Sequence, residues 1–128
     1  MSPVLFFRLA SVAALIGIWV LSFLPASLMP AVPGTDKWHH ALAYFVVMLF
    51  WGQWFRRPVA RLLLAFLFIS MGAVIECLQG LTSYRSFEWL DIVADVAGVT
   101  FGWMVVSVQL AFHRRLRPDT KPIRQRSS

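Results

Sequence analysis

The sequence predicts an all-α fold: a bundle of four transmembrane helices with short loops and both chain ends on the cytoplasmic side. Three observations predict it. Apolar residues fill 59% of the 128 positions and charged residues only 14%, for a mean hydropathy of +0.67. A water-soluble domain of this length has too much surface for its volume to hide that much apolar side chain. The apolar residues also fall into four runs close to the length of about 20 residues that crosses a hydrocarbon core. Finally, Lys and Arg collect at alternate ends of those runs, as the positive-inside rule requires of a multi-pass chain.

The first run covers residues 4–24, and Pro25, Pro30, Pro33 and Gly34 interrupt the chain after it. It could serve as a signal peptide with Arg8 as its basic flank. However, the apolar stretch 9–24 is long for an h-region of about 7–15 residues and no A-x-A site follows, which favours a retained span. The second run, 38–55, stops at Arg56, Arg57 and Pro58. The third covers 62–81. The fourth covers 90–112 and completes a single membrane domain, 1–112, followed by a basic tail, 113–128, expected to be disordered. Arg8, the cluster of Arg56, Arg57 and Arg61, and the tail all mark the cytoplasmic side. The loops around Asp36 and Arg85 then face outward.

The formal charge of +6 does not point to nucleic acid. Half of the basic residues follow the last apolar run: Arg114, Arg115, Arg117, Lys121, Arg124 and Arg126. A basic cluster beside a span sets topology or touches anionic lipid. The single cysteine, Cys77, excludes a disulfide framework and reads as packing. No cofactor motif is present. There is no H-E-x-x-H and no nucleophile elbow, and the adjacent His39 and His40 point about 100° apart on a helix. His40, Glu76, Asp91 and Asp95 could supply the three or four converging ligands a metal needs, but their spacing is no recognised metal motif and no metal is expected. Nothing in the sequence sets the oligomeric state.

The informative residues are the polar ones inside the runs. Asp36, His40 and Tyr44 recur every fourth residue and form one helical stripe, with Lys37 one turn from His40. Glu76 and Gln79 share a face near the outer end of the third span. On the fourth, Asp91 and Asp95 are one turn apart, and Gly98 and Gly102 continue their stripe as a G-x-x-x-G, which admits a close neighbour. With a rise of about 1.5 Å per residue, Tyr44 lies only about 10 Å below Lys37, so all of these groups gather in the outer half of the membrane. Ionisable groups there persist when paired or functional. Acids (Asp36, Glu76, Glu88, Asp91, Asp95) outnumber the bases Lys37 and Arg85, so at least one carboxyl is neutral or paired with a histidine or a cation.

D-K-x-x-H-x-x-x-Y (Asp36, Lys37, His40, Tyr44), E-x-x-Q (Glu76, Gln79) and an arginine before D-x-x-x-D-x-x-G (Arg85, Asp91, Asp95, Gly98) occur in that order. Together they resemble the VanZ-like family of small bacterial integral membrane proteins, over residues 22–102. The resemblance implies a four-helix fold in a bacterial inner membrane and a loose link to glycopeptide resistance, but no reaction. Members of the family often carry asparagine where this chain has Asp95.

Four functions compete. The polar site binds or modulates an envelope lipid or glycopeptide-related head group through Asp36, Lys37, Tyr44, Gln79, Arg85, Asp91 and Asp95. In that case a lipid-sized groove should open between the spans. Alternatively, His40 and Glu76 act as acid/base catalysts on a lipid-linked substrate while Arg85 stabilises anionic charge. A third reading is a small proton-coupled transport module, though no inverted repeat or broken helix is visible. In the fourth, His40 braces Tyr44 or Glu76, Arg85 pairs with Asp91 or Glu88, and the cluster only fixes helix register. Membrane lipids are the expected partners in every case.

Overall fold

The structure, a computed structural model, describes residues 2–28 and 36–116. The Pro30, Pro33 and Gly34 breaks and the tail from Arg117 onward lie outside these residues. The described chain is all-helical: α1 (Pro3–Ser22), a short 3-10 turn (Ala26–Leu28), α2 (Asp36–Gly52), α3 (Pro58–Gln79) and α4 (Trp89–Leu116). Three helices, α1, α3 and α4, are long and apolar enough to cross a membrane. At about 1.5 Å per residue, α1 and α3 span about 30 and 33 Å, matching a hydrocarbon core of about 30 Å, and α4 overshoots it. The 17 residues of α2 reach only about 25 Å.

The helix limits follow local chemistry. Ser2 caps α1, its hydroxyl accepting from the Leu5 N–H at 3.3 Å. Proline stands in the first turn of both α1 and α3, where no helical N–H partner is needed. The helices begin and end within a few residues of the sequence expectation, with two consequences. Asp36 and Lys37 belong to the first turn of α2 rather than to a loop, and α4 runs four residues past the expected span end. Arg61, expected as a loop charge marking the cytoplasmic side, is in the first turn of α3 and only 5% exposed. It donates to the carbonyls of Phe55 and Arg56 at 3.1 and 3.2 Å, and so clamps the α2–α3 turn.

Contacts between α2 and α4 advance together along both helices, from Lys37–Glu88 through His40–Asp95 to Gln53–Gln109, so the two run parallel. Their approach is set by glycine. A Cβ added at Gly98 would run into the Ala41 carbonyl, and one at Gly102 would lie 2.9 Å from the Phe45 carbonyl oxygen. Around this contact Tyr44, Val47, Met48, Phe68, Ile75 and Val99 form the core. α1 lies antiparallel along α2. Trp51 and Trp54 stack on each other and donate to the backbone carbonyl and the hydroxyl of Ser11 at 2.9 and 3.2 Å. Apolar side chains such as Leu63, Phe66, Phe101 and Val108 remain exposed on the outer surface, and so does Cys77, which does not pack inward.

This packing predicts the response to small-to-large change. Gly98→Ala should lower the thermal unfolding midpoint in detergent, with a loss of about 1–3 kcal/mol from overpacking against backbone. Gly17→Ala should leave the midpoint unchanged or raise it, because a Cβ there meets nothing within 4 Å.

Candidate functional site

Because α2 and α4 are parallel, their N-termini open at the same end of the bundle. Asp36 and Asp91 sit in the two first turns, where the exposed N–H groups favour negative charge. Lys37 spans the gap: its Nζ donates to Glu88 Oε2 at 2.9 Å and lies 3.6 Å from Asp91 Oδ1. One turn deeper, His40 Nδ1 and Asp95 Oδ1 share a hydrogen bond of 3.0 Å, and Nε2 on the other side of the ring is 3.6 Å from Asp91 Oδ2. The Asp95 side chain is 2% exposed and that of His40 12%. Burial of this depth makes the pairing obligatory, since an unmatched charge away from water is costly.

α3 completes the floor. Gly72 leaves a notch that the Asp95 carboxylate occupies: a Cβ at Gly72 would be 2.5 Å from Asp95 Oδ2 and 3.1 Å from the Tyr44 hydroxyl oxygen. Tyr44 is buried and its hydroxyl has no hydrogen-bond partner among the described residues. Glu76, 1% exposed, accepts the Glu88 N–H through Oε1 and so holds the approach to α4, while its Oε2 has no hydrogen-bond partner among the described residues. Gln79 serves the neighbouring helix α1. Its amide donates to the Ser22 carbonyl at 2.7 Å and ties the ends of α1 and α3 together. Tyr84 does the same for Phe23 at 3.3 Å.

Above this network lies a cavity of about 190 Å³. Asp36 and Asp91 form one wall, Gln79 another, and Tyr84, Arg85 and Glu88 of the α3–α4 connection the rest. It has room for a head group, not for a lipid. The lipid-sized groove expected beside these residues is larger than this cavity, as it is bounded by the described residues. A larger cavity, about 580 Å³, opens at the opposite end of the bundle between Phe7, Arg8, Phe50 and Trp54.

Lys37, His40, Asp91 and Asp95 thus meet directly, Asp36, Gln79 and Arg85 face the cavity, and Tyr44 and Glu76 lie beneath. Two pairings differ from expectation. Lys37, not Arg85, takes both Glu88 and Asp91, because it sits on the helix that abuts α4. His40 braces Asp95 rather than Tyr44 or Glu76. His39 is exposed. Glu88, counted in the sequence among the acids and as a partner for Arg85, pairs with Lys37 instead. Ser11 is fully buried, and its signal in the sequence was a hydroxyl inside an otherwise apolar run.

No protein-family model matches the chain, and neither a curated protein nor a solved structure matches it. The VanZ-like resemblance rests on its quoted residues alone.

The His40–Asp95 pair yields a double-mutant test. His40→Ala should destabilise by about 3 kcal/mol, because it strands a buried carboxylate. His40→Ala with Asp95→Ala should cost less than the sum of the two single changes, with a coupling of about 1–3 kcal/mol in denaturant unfolding.

Proposed function

We propose that the protein is a four-span membrane protein of the VanZ-like type, with both ends in the cytoplasm, that binds an envelope lipid head group at its outer face. On this reading α2 is the fourth span. Its modest length is offset by burial against α3 and α4, and its polar stripe faces protein rather than lipid. The cavity carries the binding reading. It lies at the end away from the Arg56, Arg57 and Arg114 cluster, it is bounded by a half-buried arginine that forms no ion pair among the described residues, and it is head-group-sized. Arg85 offers a planar fork suited to phosphate or carboxylate. The ligand's acyl chains would lie along the exposed apolar helix faces.

One observation favours a second reading. A histidine oriented by a buried carboxylate is the arrangement used for general acid/base work, and His40–Asp95 has it. An enzyme acting on a lipid-linked substrate should then turn over in detergent, with activity lost in His40→Ala and Glu76→Gln.

Topology is checked by labelling. In a Cys77→Ser background, Ser83→Cys should react with a membrane-impermeant maleimide in intact cells, and Arg57→Cys only after permeabilisation. The reverse pattern overturns the orientation. For binding, phosphatidylglycerol retained by purified protein in native mass spectrometry should fall about tenfold in Arg85→Ala, the loss of one charge-assisted contact of about 1.5 kcal/mol. Equal retention removes Arg85 from the site.

A further inference from the structure

The charge balance at the polar end is incomplete. Asp36, Asp91, Glu88, Asp95 and Glu76 converge there, against Lys37, Arg85 and one histidine. An acid-rich wall is a poor surface for an anionic head group unless a cation stands on it. One ligand atom each from Asp36, His40 and Asp91 lies within 4.8 Å of the others.

We propose that Asp36, His40 and Asp91 bind a divalent transition-metal ion, of the Zn²⁺ or Mn²⁺ class, at the mouth between α2 and α4. Three features of the structure point to it. The Asp91 side chain is 6% exposed and makes no hydrogen bond among the described residues; its Oδ1 is fully buried and its carboxylate faces the cavity. Lys37 stands 3.6 Å from that oxygen, beyond hydrogen-bond reach, and spends its short contact on Glu88.

In a neutral His40 ring, an ionised Asp95 favours the Nδ1–H tautomer, because a carboxylate only accepts. With Nδ1–H donating to that carboxylate, Nε2 carries a lone pair, and it faces Asp91 Oδ2 at 3.6 Å. A metal ion held between these two atoms would take up both lone pairs. A carboxylate behind the distal ring nitrogen is also the usual support of a metal-ligating histidine.

The spacing suits the ion. Metal–ligand bonds of about 2.1 Å in tetrahedral geometry put neighbouring ligand atoms about 3.4 Å apart, close to the His40–Asp91 separation. Asp36 is exposed, so its carboxylate can rotate inward without displacing packed atoms. One imidazole and two carboxylates suit Zn²⁺ or Mn²⁺ better than thiolate-seeking ions. Three protein ligands leave a position open toward the cavity, where an anionic oxygen would complete the shell beside Arg85. The inference does not depend on the head-group reading, since the ion binds with or without a lipid.

The test uses full-length protein in neutral detergent, stripped with chelator and freed of any histidine tag, titrated with Zn²⁺ and with Mn²⁺ by calorimetry. We expect one equivalent of at least one of the ions per chain, and a thermal midpoint that rises with its concentration. His40→Gln and Asp91→Asn should each weaken binding at least tenfold, and Asp95→Asn by about 10–100-fold. His39→Gln, next door but exposed, should leave binding unchanged. Lys37→Met should tighten it, because it removes a competing ammonium. That gain cannot arise from misfolding, so it keeps the test valid if His40→Gln fails to fold. Absence of stoichiometric binding of both ions, or binding that tracks His39 instead of His40, or binding that Lys37→Met leaves the same or weaker, overturns the proposal.

Discussion

The close parallel contact of α2 and α4 is the constraint on which the rest of the structure depends. Gly98 and Gly102 let the two backbones approach until a methyl group would collide with the carbonyl of Ala41. Only at that separation can the short Asp91 and Asp95 side chains reach His40 and Lys37. In a hydrocarbon surrounding there is little hydrophobic force between helices, so packing and polar contacts must hold them. Glycine supplies the first and the His40–Asp95 bond the second. They are one turn apart on α4 and act as a unit.

The other helices read as consequences of this pair. α3 crosses behind it and gives up a side chain at Gly72, so that Asp95 and Tyr44 fit. Glu76 secures the entry to α4 through the Glu88 N–H. α1 is attached at its middle, by the Ser11 bonds to Trp51 and Trp54, and at its C-terminal end, by the Gln79 bond to Ser22. The polar end of the bundle is therefore built from all four helices, though its charged groups come mainly from two.

Much of this was legible in the sequence, because helical periodicity converts spacing into direction. The four-residue recurrence of Asp36, His40 and Tyr44 and the continuation of Asp91 and Asp95 into Gly98 and Gly102 are statements about one face each. The existence of the helices follows from length and apolarity in the same way, except for α2, whose 17 residues and charged first turn fall short by length and composition. What could not be read is which faces meet. Periodicity does not say that Lys37 rather than Arg85 reaches Asp91, that Gln79 serves α1, or that Tyr44 ends without a hydrogen-bond partner among the described residues. Those depend on rotations between helices. Nor does a basic residue next to a proline announce, as Arg61 does, that it will fold back onto the preceding turn.

The parallel orientation of α2 and α4 has a consequence for how the chain is made. Parallel neighbours cannot be joined by a tight turn, so the whole of α3 lies between them, and His40 and Asp95 are 55 residues apart in sequence. A ribosome makes α2 well before α4 exists. During that interval His40 and Lys37 of α2 have none of the α4 carboxylates to pair with, in a helix already short of length. On the four-span reading, α2 is held by its neighbours' company at the interface until the last helix arrives, and completion of the polar cluster is also the step that commits the chain to its final topology.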